Sequence, residues 1–183
     1  ASHDFVFSGY SNSYGNGSQD FYLARIDSGG VMLKDTVFGG SSDEKSFGIS
    51  SCSDQGFVLT GQTDSYGNGG LDMYVMKLDS AFNQKWDNYF GGSANDQGFS
   101  IIPANDAGYI TIGNTWSFPL SSWSNIFVVK LDSTGFADGI STFSTAQSIM
   151  SVYPNPATDF ISIETGIHDV IVVSISDMTG RVV

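Results

Sequence analysis

A repeat of about 52 residues is the feature of this sequence that most constrains its fold. Residues 13–17, Ser-Tyr-Gly-Asn-Gly, return letter for letter at residues 65–69, and Gly9, Gly61 and Gly113 mark the same step. Because a repeated unit packs against its own copies, the residues that all units share are structural candidates before they are functional ones. The repeat therefore predicts an architecture rather than a ligand.

Short β-branched and aromatic runs alternate with Gly, Asn, Asp and Ser, which indicates strands joined by tight turns. In the first unit these runs are 22–26, 31–38, 47–51 and 57–61. No segment shows helical periodicity. Asp27, Asp79 and Asp132 each follow a strand and are predicted to cap the backbone of a turn. Four strands in about 50 residues match one propeller blade, so we predict an all-β partial β-propeller of four-stranded blades.

The predicted domains follow from the repeat. The units are assigned to residues near 9–60, 61–112 and, in part, 113–136. Residues 5–9 align with 57–61, so we expect the chain to open on the last strand of a preceding blade and to be a piece of a longer protein. The Ser/Thr-rich residues 137–150 are predicted to be a linker, and 151–183 the start of a β-sandwich.

The chain is strongly acidic, with 19 acidic and 7 basic side chains and a net charge of -12. This charge repels phosphate backbones and anionic lipid, so no nucleic-acid partner and no membrane-surface partner are expected. No membrane insertion is expected either, because no apolar stretch of the sequence approaches the length of a membrane span. The single Cys52 is expected to be a small buried side chain. No nucleophile elbow, P-loop or Cys/His cluster is found, so we expect no enzymatic activity.

Calcium is the one cofactor that the sequence suggests, and only weakly. Residues 67–75 fall one residue short of the calcium-binding nonapeptide of β-helices, and 15–23 are a poorer copy, which makes Asp72 and Asp20 candidate ligands. A glycine-rich turn before a strand explains the same pattern. Two further pairs of residues with side-chain oxygens follow the Gly-Gly-Ser turns: Asp43-Glu44 and Asn95-Asp96. They are suited to act as oxygen ligands of a metal ion or as a sugar-binding edge.

Tryptophans provide the candidate ligand-binding residues. Trp86 lies in a predicted strand and is expected in the core. Trp116 and Trp123 lie in the loop 114–124, which departs most from its counterparts in the other units. Exposed aromatic rings are what a carbohydrate binder uses, so these two are the predicted binding residues.

The C-terminal residues carry a specific pattern. Tyr153-Pro154-Asn155-Pro156 is followed by Ala-Thr-Asp, and Gly180 and Arg181 lie in a second segment, 175–183. Residues 151–183 resemble the C-terminal sorting domain of the type IX secretion system of Bacteroidetes. The resemblance implies an immunoglobulin-like sandwich, contact with the secretion machinery, and a secreted or outer-membrane surface location. Family members continue beyond the position of Val183, so we expect this sorting domain to be truncated.

The repeats are similar to propeller-type repeats of exported proteins in the same bacteria, through a strand ending in Lys-Leu-Asp followed by Phe-Gly-Gly-Ser. That resemblance implies a fold and an extracellular address, but no particular ligand. The expected function is an exported repeat scaffold that binds an extracellular glycan or protein, as a binding or adhesion module. Two alternatives remain: the non-catalytic part of an extracellular polysaccharide or peptide hydrolase, and a calcium-stabilised adhesin.

Overall fold

The computed structural model describes residues 4–118, 124–143, 151–153 and 162–164. Their regular structure is entirely β-strand, which confirms the predicted all-β class. The chain divides into two compact units, Ala1–Thr145 and Ala146–Val183. Within the described ranges, no helix has the length and apolar character needed to cross a membrane.

The first unit contains three antiparallel sheets in chain order. Sheet 1 consists of β1 (Phe5–Ser11), β2 (Asp20–Ile26) and β3 (Met32–Phe38). Sheet 2 consists of β4 (Glu44–Ser51), β5 (Phe57–Thr63), β6 (Asp72–Leu78) and β7 (Gln84–Phe90). Sheet 3 consists of β8 (Asp96–Pro103), β9 (Tyr109–Thr115), β10 (Asn125–Leu131) and β11 (Ala137–Phe143). In the second unit, β12 (Ser151–Tyr153) pairs with β13 (Ser162–Glu164).

The observed sheets do not begin where the repeat units were expected to begin. The expectation that the chain opens on the last strand of a preceding blade is wrong, because β1 pairs with β2 along its whole length, from Phe5↔Ile26 to Ser11↔Asp20. Strand β11 covers residues 137–143, which were expected to begin a linker, and it pairs with β10 to complete sheet 3. A periodic sequence can be divided into equivalent units starting at any position, so the sequence does not define which strands share a sheet. Only the hydrogen-bonded pairing of the strands reveals the sheet boundaries.

The core lies in two layers, one on each face of sheet 2. Alternate residues of a strand point to opposite faces, and all seven residues of β6 are buried. The layer between sheets 1 and 2 consists of Phe21, Leu23, Leu59, Tyr74, Met76, Leu78 and Phe82. The layer between sheets 2 and 3 consists of Val58, Met73, Val75, Ile101, Tyr109, Phe127, Val129 and Leu131. We call these two interfaces joint 1 and joint 2.

The recurring aspartates cap turns, as predicted. Asp27 Oδ1 accepts hydrogen bonds from the backbone N–H groups of Gly29 at 2.8 Å and Val31 at 2.9 Å. Asp79 and Asp132 accept the same pair of bonds in sheets 2 and 3. These carboxylates therefore fix the hairpins that carry the repeat, and their chemistry is structural.

Candidate functional site

The structure describes only some of the predicted binding and sorting residues. Trp116 directly follows β9, its side chain is 43% exposed, and its backbone N–H donates to the Asn95 carbonyl oxygen at 2.9 Å. Trp123 lies outside the described residues, so its role as a ligand-binding residue remains a prediction. Tyr153 is the last residue of β12. The other sorting residues also lie outside the described ranges: Pro154, Asn155, Pro156, Gly180 and Arg181.

Trp86 packs against the core, as predicted. Its ring meets the Tyr109 ring edge-on, with the centroids 5.5 Å apart, and Gly135 lies against its face. Cys52 is half-buried against the same cluster, and this burial raises the pKa of its thiol. A protonated, packed thiol is a poor nucleophile, which fits a structural role.

A cleft of about 240 Å³ opens at joint 1, between sheets 1 and 2. We call it the aromatic cleft. Its lining is Gly15, Asn16, Asp20, Val37, Phe38, Gly39, Tyr66, Tyr74, Met76, Gln84 and Asp87. Sheet 1 and its turns supply the first six of these residues, and sheet 2 supplies the other five. The cleft therefore exists only because the two sheets stack.

Two exposed tyrosines form a stacked pair beside the aromatic cleft. The rings of Tyr66 and Tyr89 are 6.4 Å apart and 15° from parallel. Tyr66 is 40% exposed and Tyr89 is 50% exposed. Tyr66 also packs against Tyr74 at 5.8 Å. Since the three residues come from the turn after β5, from β7 and from β6, the ordered sheet holds their rings in place.

The charged groups of the cleft are carboxylates, Asp20 and Asp87, which accept hydrogen bonds. The Tyr74 hydroxyl donates to Asp87 Oδ2 at 2.5 Å. Burial, and then this bond to Asp87, raise the pKa of Tyr74 far above its ordinary value, so the phenol stays protonated and keeps donating. Burial and the nearby charges of Glu44, Asp87 and Asp20 also raise the pKa of Tyr66. The cleft thus favours ligands that donate hydrogen bonds and disfavours anions.

The Tyr–Asp pair of the cleft is partly a repeat feature. In sheet 1, the Tyr22 hydroxyl donates to Asp35 Oδ2 at 3.0 Å in the same way. In sheet 3, Phe127 replaces the tyrosine and packs against Phe118 at 5.7 Å. Joint 2 therefore has an aromatic pair without hydroxyl groups.

Tyr89 is the part of the cleft region that breaks the repeat. Val37 takes its place in the first unit and Thr142 in the third. Among the described residues, the stacked pair beside a Tyr–Asp hydrogen bond occurs once. Tyr66, Tyr74, Asp87 and Tyr89 were not predicted as binding residues. A comparison of the units strand by strand, rather than by insertions alone, would have pointed to Tyr89.

A second cleft, of about 390 Å³, lies between sheets 2 and 3 and is lined by Cys52, Trp86 and Tyr109 among others. At its edge Lys77 Nζ donates to Asp54 Oδ2 at 2.7 Å. The same ion pair returns one repeat later between Lys130 and Asp106. Because its aromatic residues belong to the core and its ion pair is a repeat feature, this cleft is explained by packing.

The two calcium candidates are buried at the starts of β2 and β6. Asp20 Oδ2 accepts from the Gly17 N–H at 3.3 Å, and Asp72 Oδ2 accepts from the Asn68 N–H at 3.0 Å. Burial, opposed by the Asn68 hydrogen bond and reinforced by the charge of Asp96, raises the pKa of Asp72. Within the described ranges, no three His, Cys, Asp or Glu side chains converge on one point. Calcium binding therefore remains a prediction here.

Comparison with known proteins bears on the C-terminal unit. Residues 151–183 match the family model described as secretion system C-terminal sorting domain. This match confirms the resemblance predicted for the tail, and it indicates export through the type IX secretion system and contact with that machinery. A comparison with curated proteins finds no match to the chain.

Proposed function

We propose that the three sheets are blades of a β-propeller of a Bacteroidetes surface or secreted protein, and that this scaffold is a non-catalytic module that binds neutral glycans in the aromatic cleft. The observation that carries the proposal is the exposed, nearly parallel pair Tyr66 and Tyr89 beside a cleft with carboxylate acceptors. Export would bring such a module outside the cell, where it can contact polysaccharides.

The propeller part of the proposal rests on the outer face of sheet 3. Ile110 and Ile126 are 36% and 39% exposed on this face. One repeat earlier, Val58 and Met73 hold the same positions and are fully buried against sheet 3. The exposed face therefore has the residues that would pack against a further sheet of the same kind, which is how blades stack in a propeller.

The glycan part rests on the chemistry of a sugar ring. One face of a pyranose presents C–H groups that pack on an aromatic ring, and its edge presents hydroxyl groups that donate to carboxylate and amide oxygens. Tyr66 and Tyr89 supply the aromatic surface beside the cleft. Asp87 and Gln84 in its lining supply acceptors. The cleft is smaller than the about 300–1,000 Å³ typical of pockets that enclose a ligand, so it suits a short stretch of a longer chain.

The charge of the protein selects among glycans. With a net charge of -12 and Asp20 and Asp87 in the cleft, uronic acid and sulfated chains are repelled. Neutral polysaccharides pay no such electrostatic penalty. The proposed ligand is therefore a neutral glycan.

Affinity electrophoresis tests this proposal. The purified chain is run in native gels that contain neutral β-glucan, mannan or starch, with alginate as the acidic comparison. We expect retardation in at least one neutral gel, and about tenfold weaker binding for Tyr66→Ala and for Tyr89→Ala, a loss of ~1.4 kcal/mol. Tyr14→Ala is the matched control, because Tyr14 holds the position of Tyr66 in the first unit, is 67% exposed and lies outside the cleft lining.

Two results would contradict the proposal: no retardation by any neutral polysaccharide, or equal weakening by Tyr14→Ala and Tyr66→Ala. Reducing sugar is measured on the same samples. Its release by the purified chain would contradict a non-catalytic role for these residues.

A further inference from the structure

A pair of acidic side chains faces across each joint. At joint 1, a Cβ added at Gly39 would overlap Asp20 Oδ1 and lie 2.6 Å from Glu44 Oε2. At joint 2, a Cβ at Gly91 would overlap Asp72 Oδ1 and lie 2.5 Å from Asp96 Oδ2. Two carboxyl groups from neighbouring sheets therefore converge over the same glycine, once per joint.

These carboxyl groups are buried, and one oxygen at joint 1 has no hydrogen-bond partner among the described residues. Asp20 is 1% exposed and Glu44 is fully buried. In the part of the chain that the structure describes, Asp20 Oδ1 accepts no hydrogen bond although it points into the space shared with Glu44 Oε2. A buried acceptor without a donor costs free energy, so this oxygen requires a partner that the described residues do not supply.

The rest of the pair is held firmly in place. Glu44 Oε1 accepts from the Thr63 hydroxyl at 2.7 Å and from the Ser65 N–H at 3.2 Å, and Glu44 Oε2 accepts from the Gly40 N–H at 2.5 Å. The backbone N–H of Glu44 donates to the Gln19 carbonyl oxygen at 2.6 Å. This network fixes the carboxylate of one sheet against the carboxyl group of the other.

Joint 2 has a corresponding acidic pair. Among the described residues, however, its unpartnered oxygen is Asp96 Oδ1, which is not one of the two oxygens that converge over Gly91. Asp96 Oδ2 accepts from the Gly92 N–H at 2.9 Å and from the Ser117 hydroxyl at 2.5 Å, and the Asp96 N–H donates to the Leu71 carbonyl oxygen at 2.6 Å. Asp96 is fully buried. The pairing is thus a property of the stacked repeat.

Two buried carboxylates side by side need a positive charge between them. None of the lysine or arginine ion pairs of the described residues involves these four acids. We propose that each joint binds a divalent cation of the calcium type, bridging Asp20 and Glu44 at joint 1 and Asp72 and Asp96 at joint 2. The cation ties successive sheets together.

The surroundings suit a weak, oxygen-liganded site. Calcium takes six to eight oxygen ligands, so the two carboxylates supply only part of the set. Gly15 packs directly on the Asp20 carboxyl group, and Asp20 borders the aromatic cleft, so turn carbonyl groups and solvent are at hand for the other positions. With two carboxylates per ion, we expect the affinity of extracellular calcium modules, about 10⁻⁴–10⁻³ M.

Thermal unfolding of the full chain tests the site without any sugar. The protein is treated with EDTA, desalted, and melted with increasing CaCl₂ or in EDTA alone. We expect saturating CaCl₂ to raise Tm by about 5 °C. Asp20→Asn removes one charge at nearly constant shape and should lose about half of this shift, and Asp20→Asn with Asp72→Asn should lose all of it. Asp64→Asn, at a nearby exposed carboxylate, is the matched control and should keep the shift.

A shared proton is the rival occupant, and it predicts the opposite pattern. If CaCl₂ leaves the wild-type Tm unchanged while Asp20→Asn raises Tm, each pair holds a proton and the cation proposal is wrong. The sugar-binding assay does not enter either outcome, so the two proposals can fail separately.

A second measurement guards against variants that do not fold. The Tyr66 hydroxyl lies 3.1 Å from the Cβ position at Gly40, next to joint 1. Tyrosine excitation of the wild-type chain should therefore sensitise the luminescence of added Tb³⁺, and CaCl₂ should reverse this gain. Glu44→Gln should reduce the gain severalfold. Absence of sensitised luminescence in the wild type would overturn the proposal for joint 1.

Discussion

Alanine at Gly61 should destabilise the protein strongly, whereas alanine at the equivalent Gly9 should not. A Cβ at Gly61 would overlap the Lys45 carbonyl oxygen and would lie 2.9 Å from the Ser46 Cα. At Gly9 no described atom lies within 4 Å of the added Cβ. The two glycines share one place in the repeat but differ in whether a strand lies alongside.

The size of the effect follows from what the methyl group meets. The clashing atoms are backbone atoms of β4, which is paired with β5 on both sides of an irregularity between Ser46 and Gly48. No rotamer change relieves such a clash, so the cost should reach the upper end of overpacking, about 3 kcal/mol. At Gly9 the smaller entropy of the unfolded chain should instead stabilise by about 0.5–1 kcal/mol.

Urea unfolding followed by far-ultraviolet circular dichroism measures both variants against the wild type. We expect a gap of about 3.5–4 kcal/mol between the two variants, which corresponds to about 10 °C in Tm for a chain of this size. If Gly61→Ala stays within about 0.5 kcal/mol of the wild type, or if Gly9→Ala is equally damaging, the neighbouring strand does not exclude a side chain at Gly61.

Two further predictions concern the polar contacts of the stack. Lys77 holds the pKa of the Asp54 carboxyl below its usual value, so this pair stabilises the fold above about pH 4 and the effect fades as pH falls through the lowered pKa. Asp54→Asn should lower the free energy of unfolding by about 1–2 kcal/mol at pH 7, a value kept small because the Asp54 side chain is 59% exposed. Near pH 2 the substitution should cost almost nothing. An equal cost at both pH values in urea titrations would contradict this. At joint 2, the buried hydroxyl groups of Thr60 and Thr111 lie 3.0 Å apart. Thr111→Val should therefore lower the free energy of unfolding by about 1–2 kcal/mol, and adding Thr60→Val should restore part of this loss. Strictly additive effects in the double-mutant cycle would exclude a hydrogen bond between the two threonines.

The strands were predictable from the sequence because their information is local. Alternating β-branched and aromatic residues, glycine-rich turns and the repeated Lys-Leu-Asp ends identify strands without reference to the rest of the chain. The capping role of Asp27, Asp79 and Asp132 was predictable for the same reason. The sheet boundaries were not, because the pairing of β1 with β2 depends on which neighbouring segments meet, and every cut of a periodic sequence looks alike.

Phe82 has a backbone conformation that the repeat pattern does not predict for a bulky residue. Gly30 and Gly135 hold its place in the other units, and all three have a positive φ, of 82°, 90° and 64° for Gly30, Gly135 and Phe82 respectively. A bulky residue rarely adopts this left-handed backbone. Phe82 is nevertheless 4% exposed, its ring meets Phe57 at 5.7 Å, and the Arg25 guanidinium of sheet 1 lies 4.8 Å from its centroid. Burial and a contact between sheets offset the strain, and no local pattern predicts that.

The candidate sites likewise consist of residues that are far apart in the sequence and meet only in the fold. Asp20 and Glu44 come from separate sheets, and the sequence places them in two unrelated motifs, a glycine-rich turn and the residues after Gly-Gly-Ser. Only the stacking of sheet 1 on sheet 2 brings their oxygens together. Tyr66 and Tyr89 likewise meet through the pairing of β5, β6 and β7.

The features that joint 1 and joint 2 share are expected to stabilise the scaffold, whereas the features found at joint 1 alone are expected to bind a ligand. Both joints have a buried acidic pair, so a bound cation should stabilise both. Joint 1 adds tyrosine hydroxyl groups and the exposed Tyr66–Tyr89 stack, whereas Phe118 and Phe127 fill the same place at joint 2. Asp20 belongs to both the acidic pair and the aromatic cleft, so at joint 1 a cation would also neutralise the wall against which a sugar binds. Sugar affinity should then respond to calcium at joint 1, while the contribution of joint 2 to stability should respond to calcium without any sugar.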